Sequence, residues 1–125
     1  MGIFGDFKKS LSESPGRILL SQLKDTEEKL FKLSDPIAKT VLIGFAKKRQ
    51  LLLVSLDNWT SDGCIQMGKT LQTQARQTLD MNVSEGYALW LAGAWLESRN
   101  RPGPEAAQVH KELNMLATIV DEREE

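Results

Sequence analysis

The stretch GYALWLAGAWL, at residues 86–96, constrains the fold of this chain more than any other segment. It contains no charged residue, so a helix of 3.6 residues per turn built from it is apolar on every side. A membrane span needs about 20 apolar residues, and this run is too short to provide them. A helix that is apolar all round but too short to cross a membrane is buried by other helices.

We therefore predict a central helix at about 85–99, with Ser84 as its N-cap. Its small residues would let neighbouring helices approach closely: Gly86, Ala88, Ala92, Gly93 and Ala94. Trp90 and Trp95 would fill the wider gaps of the core. A tryptophan-lined ligand pocket is the alternative interpretation of the same two residues.

Three other segments have clear helix signals. The first, at about 16–33, has apolar positions that step by four and three: Leu19, Leu23, Thr26, Leu30 and Leu33. Thr60, Ser61 and Asp62 offer caps for a helix at about 62–80. A helix at about 104–122 has a continuous apolar face: Ala106, Val109, Leu113, Leu116 and Val120.

Between the first two of these segments, SDPIAK supplies a capping residue followed by Pro36 at the first helical position. A helix should begin there. The run QLLLVSLD, at residues 50–57, fits either a continuation of that helix or a short buried strand. Because no helix breaker precedes the run, we predict that the helix continues to about Leu56.

These segments predict an all-α, single-domain bundle of about five mainly antiparallel helices around a central helix rich in Trp, Ala and Gly. A length of 125 residues suits one domain with one core. We expect residues 1–14 to be mobile and the acidic end, residues 121–125, to be a solvated tail.

Residues 63–70, GCIQMGKT, match the phosphate-loop pattern G-x-x-x-x-G-K-[ST]. A nucleotide site would use Gly63, Gly68, Lys69 and Thr70, with Asp121 as a magnesium-binding acid. A phosphate loop, however, leaves a buried strand directly and belongs to a parallel sheet, and neither is predicted here. Nucleotide binding is therefore the alternative function, and Lys69 is expected to be a solvated side chain.

The chain has one cysteine, Cys64, and one histidine, His110. An intramolecular disulfide and a zinc site built from these residue types are both excluded. We expect a packed thiol and a surface imidazole, although a fold that joined them could form a nucleophile and base. We predict no catalytic residue, cofactor or metal ligand.

The net charge of −1 gives no overall attraction to nucleic acid or anionic lipid. Residues 1–50 nevertheless carry ten Lys and Arg against six Asp and Glu, a net charge of +4, and include Lys47, Lys48 and Arg49. Weak nucleic-acid binding through this half is a second alternative. Without a signal-peptide pattern at the N-terminus, we expect a cytoplasmic protein that does not bind membranes.

The third helix suggests the main functional hypothesis, a module that contacts another protein, either a different partner or a second copy of itself, with a homodimer as the favoured form. Its sequence, CIQMGKTLQTQARQTLDM, has few charges and a narrow seam of mostly small residues: Cys64, Gly68, Leu71, Ala75 and Thr78. Depletion of charge is characteristic of the core of an interface. We predict that this seam contacts a second copy, whereas the broader apolar face of the last helix closes the core.

Overall fold

The computed structural model describes residues 14–124 and gives side-chain environments for residues 14–119. Within that range the chain forms five α-helices and one turn of 3₁₀ helix, without a β-strand. The helices are α1 (Pro15–Phe31), α2 (Asp35–Ser55), α3 (Ser61–Leu79), α4 (Val83–Asn100) and α5 (Pro104–Glu124), and the 3₁₀ turn is Leu56–Asn58. The predicted all-α bundle is confirmed. The expectations for residues 1–13 and for the side chains of 121–125 lie outside the described residues.

Each helix begins where a side chain can accept a hydrogen bond from an otherwise unpaired N–H group, or where a proline occupies the first turn. Ser14 Oγ accepts from the N–H of Arg17 at 3.1 Å before α1. Thr60, one of the three predicted candidates, caps α3. Asn82, rather than Ser84, caps α4. The cap of α4 lies two residues earlier than predicted, and its side chain accepts from the N–H of Glu85, three positions on.

The ambiguous run at residues 50–57 is helical, and the strand interpretation is wrong. Helix α2 continues through it to Ser55 and then tightens into the 3₁₀ turn. Trp59, in an extended conformation, leads the chain away from this turn. The α4–α5 connection uses Gly103, whose φ of 104° lies in the left-handed region that favours glycine.

Helix α4 lies at the centre, as its sequence predicts, and packs against all four other helices. Every residue from Trp90 to Ser98 is buried. Trp90 and Trp95 are 7% and 1% exposed, so both belong to the packed core.

Helix α3 packs almost entirely on α4, and the two run antiparallel. Their backbones touch at a pair of glycines: a Cβ on Gly68 would lie 2.7 Å from the carbonyl oxygen of Gly93. A Cβ on Gly93 would lie 2.6 Å from the carbonyl oxygen of Gly68. Since α3 makes few other contacts, it leaves a groove on each of its flanks, facing α1 on one side and α2 on the other.

Helices α1, α2 and α5 enclose the rest of α4. Helix α1 packs on α5, and the two run parallel, because Gly16 lies against Ala106 and Glu27 lies near Glu112 further along both helices. The expected antiparallel arrangement therefore holds for neighbours such as α3 and α4 and does not extend to this pair. Buried side chains from the three enclosing helices include Leu19, Leu23, Val41, Phe45, Val109 and Leu113.

Candidate functional site

The small-residue seam of α3 faces α4 within the same chain. Cys64 and Ala75 are 3% and 0% exposed, and Gly68 is buried against Gly93. These three residues are covered by the chain's own helix, which corrects the expectation that they contact a second copy. Leu71 and Thr78 are half-buried at the edge of the seam. Only the edge of the predicted interface is accessible in this fold.

The residues of the phosphate-loop pattern lie in the first three turns of α3 and form no loop. The N–H of Gly63 donates to Thr60 Oγ1 at 3.0 Å, and the N–H of Cys64 donates to the Thr60 carbonyl. Thr70 Oγ1 donates to the Gln66 carbonyl, as a threonine in a regular helix does. These N–H groups are used by the helix and its cap, so they do not surround an anion. Lys69 is exposed, and the side chain of Asp121 lies outside the described residues.

His110 is half-buried, not on the surface as expected. Its ring lies against Trp95 with the centroids 5.4 Å apart, and its Nδ1 is 3.5 Å from Ser98 Oγ. Burial lowers the pKa of His110, a hydrogen bond to the backbone of Trp95 raises it, and the positive charges of Arg99 and Arg49 lower it. The thiol of Cys64 is buried in the core, and no hydrogen bond joins it to His110 among the described side chains.

The three basic residues at 47–49 point in different directions. Lys47 is exposed, Lys48 forms a 2.6 Å ion pair with Glu85, and Arg49 donates from Nε to Asn114. They do not form a stripe that could follow a nucleic-acid backbone. The arrangement gives the nucleic-acid alternative no supporting contact.

A buried carboxylate, which the sequence analysis missed, links α3 to α4. Glu97 is 5% exposed, and Gln72 Nε2 donates to its Oε1 at 2.7 Å. Arg101 Nε donates to its Oε2 at 2.9 Å. Because both carboxylate oxygens have donors and the charge is paired, this network stabilises the helix pair without a ligand. The sequence signal that points to this ion pair is the four-residue spacing of Glu97 and Arg101, which places both side chains on one helix face.

A second carboxyl pair, Glu27 and Glu112, lies between α1 and α5. Burial raises the pKa of Glu27 above its ordinary value, and the nearby charge and hydrogen bonding of Glu112 raise it further. Glu112 Oε2 is buried and has no hydrogen-bond partner among the described residues. The neutral form of Glu27 can donate a hydrogen bond to Glu112, so this neighbour favours the protonated form of Glu27.

An apolar groove of about 280 Å³ separates α2 from α3 and has α4 as its floor. Its walls and floor are formed by Lys48, Leu51, Leu52, Ser55, Leu71, Leu89 and Ala92. Leu51 is 71% exposed, and Val54, one helical turn further along α2, is 81% exposed. These two side chains, called here the α2 ridge, stand beside the groove. The α2 ridge therefore places two strongly exposed aliphatic side chains next to an apolar concave surface.

The fold and its surfaces define a small all-α bundle with an apolar ridge and groove on one side. No family model matches the chain, and no match was found among curated proteins or solved structures. Among the described residues, no group of three or more His, Cys, Asp and Glu side chains could hold a metal ion. No helix in the described part of the chain combines the length and apolar character of a membrane span.

Proposed function

We propose that this chain is a cytoplasmic helical interaction module, without catalytic activity, that binds a second copy of itself. One observation carries the proposal: the α2 ridge, Leu51 and Val54, is strongly exposed beside the apolar groove between α2 and α3. Covering exposed aliphatic side chains gains about 25 cal/mol for each Å² removed from water. A surface that combines such side chains with a groove suits a protein partner.

The same patch contains both parts of a self-complementary contact. In a two-fold dimer each copy presents the same surface to the other, so a ridge on one copy must find a groove on the second. Leu51 and Val54 supply the ridge, while Leu71 and Leu89 help to form the groove beside it. These parts are adjacent, and a two-fold axis through the patch can therefore pair each ridge with the opposite groove.

Charge at the rim is compatible with this pairing. Lys48, on the wall of the groove, is paired with Glu85 at 2.6 Å. Two copies therefore meet without bringing unpaired like charges together at this rim. Of the residues predicted for the interface from sequence, Leu71 is the one that takes part in the proposed contact. The buried Cys64, unpaired in the structure, suits a reducing compartment.

Sedimentation velocity over a concentration series tests the proposal. We expect the wild-type chain to form dimers that dissociate on dilution. Leu51→Glu and Val54→Glu should each shift the chain to monomer, because a charge replaces an apolar contact at a position exposed in the monomer. Phe31→Glu is the matched control, since Phe31 is also 81% exposed but lies on α1, away from the groove.

The result that overturns self-association is a wild-type chain that is monomeric at every concentration. Equal dissociation by Phe31→Glu and Val54→Glu would also overturn it, because the effect would then be a general one of added charge. Ala75→Glu is not a suitable test. Ala75 is fully buried against α4, so this change would disrupt folding before it reported on a dimer.

A further inference from the structure

Two arginines from different helices lie close to the ring of Trp95. The Cζ atom of Arg49, on α2, is 5.7 Å from the ring centroid, and that of Arg99, on α4, is 5.8 Å away. The indole is 1% exposed and is held in place by a 2.8 Å hydrogen bond from its Nε1 to Asn114 Oδ1. Guanidinium groups within about 6 Å of an aromatic face are held by attraction to the ring electrons. The fixed ring thus holds one guanidinium group from each of two helices close to it.

Asn114 completes this arrangement with a free donor. Its Oδ1 accepts from Trp95 Nε1 and also from Arg49 Nε, the second bond being 3.0 Å long. Two donors on one atom identify that atom as the amide oxygen, so the other end of the side chain is the NH₂ group. That NH₂ group has no hydrogen-bond partner among the described side chains. It remains available to donate to a ligand's oxygen atom.

The arginines also keep unused donors. The hydrogen bond of Arg49 occupies its Nε and leaves both terminal nitrogens, while Arg99 has no hydrogen bond or ion pair with a described side chain. Lys111, exposed on α5 three residues before Asn114, adds a further positive charge on the same helix face. These residues form a basic cluster: Arg49, Arg99, Lys111 and Asn114. The side-chain groups of the cluster that lack a partner among the described side chains are all hydrogen-bond donors.

The cluster has no counter-charge among the described side chains. The ion pairs present there involve other residues, including Glu85 with Lys48 and Glu97 with Arg101. Both Arg99 and Arg49 lower the pKa of the neighbouring His110, which is the effect of a positive field at that ring. Attraction to the indole offsets part of the repulsion between the two arginines, and an anion between them would offset the rest.

We propose that Arg49, Arg99 and Asn114 form a binding site for the phosphate group of a small phosphorylated ligand. Two planar guanidinium groups present paired donors that match the oxygen spacing of phosphate. A doubly charged phosphate neutralises two arginines, whereas a single carboxylate leaves one positive charge uncompensated. The site uses other side chains than the ridge and groove, and its test does not depend on dimer formation.

Titration of ¹⁵N-labelled protein with inorganic phosphate tests this site, with sodium chloride used to keep the ionic strength constant. The indole N–H signal of Trp95 is the reporter, because that group bonds to Asn114. We expect a saturable shift of this signal and little change in those of Trp59 and Trp90. Acetate, a single negative charge, should bind more weakly than phosphate.

Arg99→Gln should weaken phosphate binding by about tenfold or more, as loss of a charged hydrogen-bonding group does. Arg99 is exposed, so the variant is expected to fold. Arg76→Gln is the matched control: Arg76 is an exposed arginine that lines the groove between α1 and α3. Arg49→Lys keeps the charge but loses the planar fork, and it should also weaken binding.

Three results would overturn the proposal. The first is the absence of a saturable Trp95 shift with phosphate into the millimolar range. The second is unchanged affinity in Arg99→Gln. The third is an equal loss of affinity in Arg76→Gln, which would mean that phosphate responds to overall charge and has no defined site.

Discussion

Trp95 joins the core to the polar surface of the bundle. Its ring is buried, yet its Nε1 has a partner in Asn114, and its faces contact His110 and two arginines. A buried indole N–H without an acceptor would cost free energy, so the position of Asn114 is part of what allows a tryptophan here. The sequence predicted that Trp95 is buried, but Asn114 lies on another helix, and its role was not visible.

Replacement of Trp95 by alanine should strongly destabilise the protein. We expect Trp95→Ala to lower the free energy of unfolding by about 3–5 kcal/mol, because it opens a cavity and removes the donor to Asn114. Trp90→Ala should have a cost in the same range. Urea denaturation followed by circular dichroism measures both. Trp59→Ala is the control, since Trp59 is only partly buried, and its cost should be smaller. Near-native stability of Trp95→Ala would contradict its place in the core.

Small residues at intervals of seven explain how closely α3 and α4 approach. Gly68 and Ala75 lie on one helix, and Gly86 and Gly93 on the other. An interval of seven residues returns to nearly the same helix face, so each pair forms a continuous surface without bulky side chains. The glycine contact at the middle of the pair joins backbone to backbone. It therefore leaves no room for a methyl group.

Gly68→Ala tests this contact. Alanine is a better helix former than glycine by about 1 kcal/mol, so helix propensity alone predicts a more stable protein. The new Cβ would lie 2.7 Å from the Gly93 carbonyl oxygen, and the helices would have to separate. We therefore expect a net loss of about 1–3 kcal/mol in thermal or urea unfolding.

Gly63→Ala provides the comparison for that measurement. A Cβ at Gly63 meets only the side-chain oxygen of Thr60, at 3.1 Å, and no backbone of another helix. The change in unfolding free energy should stay within about 1 kcal/mol. A Gly68→Ala variant as stable as Gly63→Ala would contradict the close backbone contact between α3 and α4.

The first and last helices close the bundle, and the Glu27 and Glu112 carboxyls meet at their contact. The folded chain holds the proton of Glu27 more tightly than the unfolded chain, because its pKa is raised in the structure. The pair's contribution to stability is therefore fully present below the ordinary glutamate value of 4.5. It is lost as the pH rises through the raised pKa, when two negative charges must share the site.

Glu27→Gln should remove this pH dependence. The amide keeps a donor for Glu112 and carries no charge, so we expect a higher melting temperature than wild type at neutral pH and a smaller difference below pH 4.5. Thermal unfolding from acidic to neutral pH measures both. Glu28→Gln is the matched control, because Glu28 is exposed and paired with Lys32 on the same helix. Identical pH profiles for Glu27→Gln and wild type would refute the raised pKa of Glu27.

Local signals in the sequence were enough to predict the helices. Apolar spacing, caps and prolines depend on residues three or four positions apart, and the observed helices begin and end within about two residues of the predicted positions. The ion pair of Asp25 with Lys29 and that of Glu28 with Lys32 are equally local, since the two residues of each pair lie four positions apart. The central place of α4 also followed from sequence, since a helix that is apolar all round has to be surrounded.

The partner of each helix face was decided only by the tertiary structure. A seam of small residues predicts close packing but does not say whether its partner is another helix of the chain or another molecule, and here α4 occupies it. Arg49 and Asn114 are 65 residues apart in sequence and meet because α2 and α5 pack together. Helix formation depends on residues that are neighbours along the chain, and these produce a periodic pattern in the sequence. Contacts between helices depend on how all helix faces fit together at once, and no periodic sequence pattern records that fit.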